Sequence, residues 1–238
     1  MTVHSAATPA SAAVMAAAVL AGWALARRSQ AELGLPPRER RVLALAAFCG
    51  GFIGAKLPYL GSLPGTLWSA AFWLGNGRTI LGGLVGGYLA VEAAKAWLGV
   101  TTKTGDAFAV PVAVAVGIGR LSCFCARCCY GTPTALPWGV DFGDGVPRHP
   151  TQLYETAFHL SMALVLWRLR SRGLLKRQLL KLYILSYLVY RFLTEFIRPE
   201  PRVAGPFTAY QLAALMLMPV FAGLWVLDAA RPALAEAA

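Results

Sequence analysis

Runs of apolar residues close to membrane-spanning length recur along the whole chain, and they constrain its fold more than any other feature. Seven can be drawn: residues 11–26, 42–60, 79–98, 108–124, 153–167, 182–196 and 207–227. Backbone amides in hydrocarbon must find partners within their own segment, which favours helices. A span needs about 20 predominantly apolar residues. The chain is 57% hydrophobic and only 14% charged, with mean hydropathy +0.56, whereas soluble domains carry about a quarter charged residues. The fold class read here is an all-α polytopic membrane protein of about seven transmembrane helices, forming a single membrane domain over residues 1–238. The piece "LWSAAFWLG", residues 67–75, is too short to span and is expected at the interface or re-entering, with Trp68 and Trp73 at headgroup level.

Charge sets the expected topology. The formal net charge is +11. The first loop carries Arg27, Arg28, Arg38, Arg40 and Arg41, and the fifth Arg168, Arg170, Arg172, Lys176, Arg177 and Lys181. The fourth loop balances Arg127 and Arg148 with Asp141 and Asp144. Odd loops are the basic ones, so the positive-inside rule puts the N-terminus outside and the C-terminus in the cytoplasm. Basic loops that hold topology against anionic headgroups explain the positive balance. Nucleic acid is not an expected partner, because no basic patch interleaved with aromatics lies outside the spans. The first apolar stretch lacks a basic region before it and reads as a retained helix rather than a secretory signal.

Several side chains do not belong in lipid. A charge near the bilayer centre costs about 2.5–3.5 kcal/mol on insertion scales, so such residues usually face a partner or a cavity. Arg120 sits in "VGIGRLSCF", Glu155 in "QLYETAFHL", and Arg191 and Glu195 in "YLVYRFLTEFIRPEP". Arg191 and Glu195 are four apart and share a helix face, which Tyr187 and Arg198 continue. Two readings stay open: a structural ion pair, or a polar site for an anionic headgroup, in which Arg120, Arg191 and Arg198 offer planar forks to a phosphate. The long outer-face loop is broken by prolines and glycines. It brings Arg148, His149, Gln152, Tyr154 and Glu155 to the outer face; His149, held extended by Pro150, reads as a hydrogen-bonding prop or a base.

The stretch "CFCARCCYG", residues 123–131, contains four of the five cysteines. Its spacing matches no familiar zinc motif. A disulfide such as Cys123–Cys128 and a set of free thiols beside Arg120 both remain open, the latter with a depressed thiol pKa. Cys49 reads as a packing residue. The glycines of "GGFIGAK" and "GGLVGG" read as close-packing sites.

At these residues a family pattern emerges. "GRL" leading to "YGTPTALPWGV", then "RHPTQLYE", then "YRFLTEFIRPEP", in this order, resemble the prolipoprotein diacylglyceryl transferase family, with "TILGGLVGG" and "GAKLPYL" similar to two further segments. The resemblance runs from about Gly50 to Pro201. It implies a multi-pass enzyme of the bacterial cytoplasmic (inner) membrane that moves a diacylglyceryl group from phosphatidylglycerol to the thiol of a lipobox cysteine in a prolipoprotein, releasing glycerol phosphate, with no cofactor. By motif position it implies functional roles for Arg120, Tyr187, Arg191 and Glu195; the candidate catalytic residues are Arg120, Arg191, Glu195 and His149, the last as a base in place of the family's histidine. Tyr187, Arg198, Arg148, Gln152, Tyr154, Glu155, Cys123, Cys128 and Gly131 are candidate substrate contacts, and no metal is expected. The family's histidine is Leu81 here, its asparagine Cys123, its glutamate Cys128, and its Asn-Gly pair Ala126-Arg127. These departures leave two alternatives: a transferase with a different acceptor, or a lipid- or partner-binding relative without the chemistry.

Overall fold

The computed structural model describes residues 8–62, 73 and 77–236, with side chains described to residue 230 apart from 60–72 and 74–76. Among the described residues seven α-helices follow one another: α1 (Pro9–Ala31), α2 (Pro37–Lys56), α3 (Ile80–Leu98), α4 (Gly105–Cys125), α5 (Thr151–Ser171), α6 (Leu179–Thr194) and α7 (Ala209–Glu236). Four stretches are long and apolar enough to cross a membrane: Pro9–Ala31, Pro37–Tyr59, Gly105–Cys125 and Ala209–Ala230. Each expected apolar segment lies on one of the helices, which mostly run further than the apolar window that marks them. The segment 67–75 lies outside the described residues except Trp73, which stacks on Phe52 at 6.0 Å between ring centroids.

The helices fall into two compact units. One contains Met1–Ser29 with Thr104–Ala238, the other Gln30–Lys103. In the second unit α2 lies against α3 along glycines. A Cβ on Gly50 would sit 2.6 Å from the Gly86 carbonyl oxygen, and one on Gly54 2.8 Å from the Gly86 Cα. Real side chains do not come that close, so glycine is what lets these backbones touch. Helix α3 starts where the Thr79 hydroxyl accepts the Gly82 amide at 3.0 Å, and stops at Gly99 in the left-handed region, φ 69°.

In the first unit α4, α5 and α6 run up and down, with Tyr183, Ile184, Tyr187 and Leu188 of α6 buried in the core. Thr156 on α5 donates to the Gly117 carbonyl of α4 at 3.1 Å. Helix α1 joins α4 where Gly22 faces Ala115 and where the Ser122 hydroxyl donates to the Ser11 carbonyl at 2.7 Å. Two ends of this unit differ in character. At one, Asp106 accepts the Arg177 and Leu179 amides at 2.6 and 3.0 Å, capping the start of α6, Lys181 pairs with Asp228 at 2.9 Å, and Arg170 reaches the Ser29 hydroxyl. At the other meet the start of α1, the end of α4, the start of α5 and the end of α6.

That second end carries the long loop. Val140–Asp141 pairs antiparallel with Pro147–Arg148. The tip between them is an Asp141 turn, whose carboxylate accepts the Gly143, Asp144 and Gly145 amides at 2.7, 3.1 and 3.0 Å. The loop is tied down where Gly131 donates to the His149 carbonyl at 2.8 Å and Thr132 to the Ile197 carbonyl at 2.9 Å.

Candidate functional site

Glu155 opens the second turn of α5 and is 1% exposed. Three guanidinium groups from three different segments converge on it. Arg120, five residues before the last residue of α4, pairs with its Oε2. Arg191, near the end of α6, approaches its Oε1 at 3.4 Å, and Arg198, just beyond α6, donates to the same oxygen at 3.1 Å. Arg191 also pairs with Glu195 at 2.7 Å, as the four-residue spacing predicts, and lies 4.4 Å from the ring centre of Tyr210 at the start of α7. Glu195 is fixed in turn by the Thr208 hydroxyl at 2.8 Å. Three cations against two carboxylates leave a net positive charge, and the donors are not all used. Arg120 Nη2 and Arg198 Nε are buried without a hydrogen-bond partner among the described residues. Buried unpaired donors are costly, and here they suit an anion with several acceptor oxygens.

The ion pair of Arg191 and Glu195 is therefore present, and it belongs to a larger cationic cluster. The sequence did not point to His159. It lies one turn beyond Glu155 on α5, fully buried; its Nδ1 is 2.8 Å from the Tyr183 hydroxyl, and its Nε2 has no hydrogen-bond partner among the described residues. Tyr187 is 2% exposed with its ring 5.2 Å from that of His159. A signal existed in the spacing of Gln152, Glu155, Thr156 and His159, a polar stripe on one face of an otherwise apolar helix.

The other expected residues separate into a scaffold and a rim. Gln152, fully buried, donates to the Cys128 carbonyl at 2.5 Å, and Arg198 Nη1 to the Cys129 carbonyl at 3.1 Å. Both side chains thus hold the cysteine turn. Gly131 sits where a Cβ would come 2.6 Å from the Ile197 carbonyl oxygen, so its contribution is close packing. His149 and Tyr154 stand together on the loop side, with His149 Nδ1 3.3 Å from the Tyr154 hydroxyl, which also takes the Trp138 indole proton at 2.8 Å. Neither His149 nor Tyr154 touches the arginine cluster through a described hydrogen bond. Arg148 is engaged elsewhere, by Asp144 at 2.6 Å and over the Tyr130 ring at 5.3 Å. The Arg148 guanidinium holds the Asp144 carboxyl below its usual range.

The cysteines are all free. Cys123, Cys128 and Cys129 come together, every pair of sulfurs within 4.8 Å. Cys125, the last residue of α4, is outside that group. The Cys128 amide donates to the Cys123 carbonyl at 3.1 Å, and Arg127 and Cys129 adopt left-handed backbones, φ 53° and 63°. Arg120 Nη1 is 3.6 Å from the Cys123 sulfur, so one guanidinium adjoins both the thiols and Glu155. Hydrogen bonds from Cys123 and Cys128 pull the Cys129 pKa down, with Arg120 and Arg198 adding to the effect. The corresponding contacts with Cys123 and Cys129 push Cys128 up.

Comparison with known proteins adds to this geometry. Residues 10–227 match the family described as prolipoprotein diacylglyceryl transferase. The chain is 32% identical over 202 residues to the phosphatidylglycerol–prolipoprotein diacylglyceryl transferase of Clostridium tetani, covering 80% of each chain. It is 32% identical over 228 residues to the protein of the same name from Nitratidesulfovibrio vulgaris (87% of this chain, 84% of that one), and 34% identical over 212 residues to that of Geobacter sulfurreducens (81% and 80%).

Proposed function

Since the chain belongs to the prolipoprotein diacylglyceryl transferase family, we propose that it transfers a diacylglyceryl group from phosphatidylglycerol to a prolipoprotein, at the sulfur of a lipobox cysteine. The observation that carries this reading is the convergence of Arg120, Arg191 and Arg198 on Glu155 with two guanidinium donors left over. A phosphodiester placed there receives those donors. As sulfur attacks the glycerol carbon, the C–O bond breaks and its electron pair leaves on the phosphate oxygen, where charge develops. Fixed donors are most effective at developing charge in a site shielded from water. Arg120 and Arg191 act as phosphate clamps, Glu155 spaces the three guanidiniums, and Glu195 with Thr208 orients Arg191. Tyr187 gives a hydrogen bond to the headgroup. His149, Tyr154 and Arg148 form the rim over which a substrate enters, and Gln152 with Gly131 keeps the rim in register.

The same reading includes seven membrane spans, one transferase domain and a cytoplasmic-membrane location, with the N-terminus and the long loop outside. Two features support that orientation. Basic side chains crowd the end of the first unit that carries Arg27, Arg170 and Arg177, and the family match crosses both compact units. Retention of costly intramembrane charges in one cluster favours a working enzyme over a binding relative.

The test is direct. Purified protein is incubated with phosphatidylglycerol labelled in its headgroup glycerol and with a lipobox peptide. Release of glycerol phosphate together with a peptide heavier by one diacylglyceryl group is expected. A strain lacking its own transferase should grow when this chain is expressed. Absence of both outcomes, with the protein present in the membrane, overturns the reading.

A further inference from the structure

We propose that Cys123, Cys128 and Cys129 form a three-thiolate site for a thiophilic divalent cation such as zinc, whose open fourth position takes the acceptor's cysteine sulfur. The inference deepens the proposed transfer and rests on it for the role of that fourth ligand.

The geometry comes first. Zinc–sulfur bonds of about 2.3 Å in a tetrahedron put ligand sulfurs roughly 3.8 Å apart. Here Cys128 and Cys129 sulfurs are 3.6 Å apart and all three lie within 4.8 Å of one another. An adjustment of an ångström or less closes the set. The sequence spacing argued against a metal because it matches no familiar zinc motif and four ligands within seven residues would strain a tetrahedral site. The left-handed backbones at Arg127 and Cys129 turn both Cys128 and Cys129 back toward Cys123. Non-glycine residues adopt that conformation at a cost, and such strain persists only where surrounding contacts impose it. They do so here: Gln152 and Arg198 grip the Cys128 and Cys129 carbonyls, and Thr151 donates to the Cys129 carbonyl at 2.7 Å.

The charge pattern points the same way. A dication with three thiolates carries a single net negative charge, which matches the adjoining guanidiniums. Arg120 directs Nη1 at the Cys123 sulfur, and hydrogen bonds of this kind orient and tune metal-bound ligands. Soft sulfur donors select zinc or similarly thiophilic ions over magnesium or calcium. Zinc sites that act rather than only stabilise keep one position open.

The position of the site gives it a task. It shares Arg120 with the anion cluster, so a sulfur bound at the fourth position lies beside the phosphate site. A thiol that binds the cation loses its proton to solvent. The bound sulfur attacks the glycerol carbon, forming the S–C bond. The C–O bond breaks, and its electron pair goes to the departing glycerol phosphate, which takes up a proton from water. The neutral thioether is a poor ligand and leaves, freeing the position for the next thiol.

Metal content and ligand sulfurs decide the matter. Full-length protein purified under reducing conditions is measured by elemental analysis and zinc X-ray absorption. About one zinc per chain with three sulfurs is expected, rising to four sulfurs when a lipobox peptide is added but not with its Cys→Ser form. Cys128→Ser and Cys129→Ser should each weaken zinc binding by about 100-fold or more, beyond the 10–100-fold seen when second-shell partners are lost. Cys49→Ser and Cys125→Ser should not. Should a variant fail to fold, cobalt substitution of the unaltered protein gives the same answer, since sulfur-to-cobalt charge-transfer absorption requires thiolate ligation. The proposal is overturned by a disulfide among the three thiols in freshly isolated protein, by zinc no tighter than in the triple serine variant, or by a sulfur count that stays at three with peptide. Transfer that continues unchanged after zinc is stripped also overturns it and leaves the transferase reading intact. Zinc bound with a fourth sulfur but no transfer from phosphatidylglycerol overturns the transferase reading and leaves the site standing.

Discussion

The α2–α3 pair and the α4–α5–α6 group address the same problem in opposite ways. In a membrane-embedded family apolar side chains gain little from leaving lipid, so helices need other means of holding together. The α2–α3 pair does so by having almost nothing between backbones, with Gly50, Gly54, Gly82 and Gly86 at the seam. The α4–α5–α6 group instead puts five charged side chains into its interior, Arg120, Glu155, Arg191, Glu195 and Arg198. Glycine contact suffices for packing, as α2 and α3 demonstrate. Burying charge carries a much greater desolvation cost, and the α2–α3 pair also buries Lys56 and Lys95. What sets the α4–α5–α6 group apart is the convergence of three guanidiniums on one carboxylate.

The largest effect should come from the hub. Glu155→Gln strands three guanidiniums and is expected to cost about 3–5 kcal/mol, the range for breaking a buried pair, and to abolish transfer; thermal unfolding in detergent and the labelled-lipid assay report both. Next, Arg120→Lys keeps the charge but loses the planar fork. Transfer should fall by roughly 100–1,000-fold, the loss typical of one donor to developing charge, with unfolding temperature nearly unchanged. If stability falls as far as activity, Arg120 is structural and the contrast weakens. On the other side, Gly54→Val should destabilise by about 1–3 kcal/mol through overpacking, while protein that remains folded retains its affinity for phosphatidylglycerol. Tyr187→Phe should lower transfer by about 2–10-fold, the worth of one hydrogen bond. Smallest is Asp144→Asn. The Asp144 pKa is depressed by Arg148, so the loop contact is present above the ordinary carboxylate pKa and lost only as pH falls through the lowered value. At neutral pH the variant should raise protease cleavage in the loop slightly, and the difference should shrink as the pH falls below the ordinary carboxylate pKa through the lowered value.

Legibility in the sequence followed the range of each interaction. Hydropathy marked each of the seven helices among the described residues, because each carries an apolar run over its middle. It missed helix ends such as the Arg168–Ser171 turn, because backbone hydrogen bonding continues after the apolar run stops. The Arg191–Glu195 pair was readable from its spacing along one helix. The Arg120–Glu155 pair was not, since it depends on α4 and α5 lying side by side, which their sequences do not encode locally. His159 was readable in principle from its register with Gln152 and Glu155, although a single histidine in an apolar run attracts little notice. The grouping of Cys129 with Cys123 and Cys128 was out of reach, because left-handed φ values at Arg127 and Cys129 reverse the direction that adjacent side chains normally take.

Glu155 is shared by three arginines, and this has an evolutionary consequence. Replacing any one of them changes the balance felt by the other two, so substitutions among the four positions should be strongly epistatic rather than independent. An exposed side chain such as Trp97 has no such partners to rebalance. At the hub the four residues can change only in concert, and lineages that lose one member should soon lose the rest.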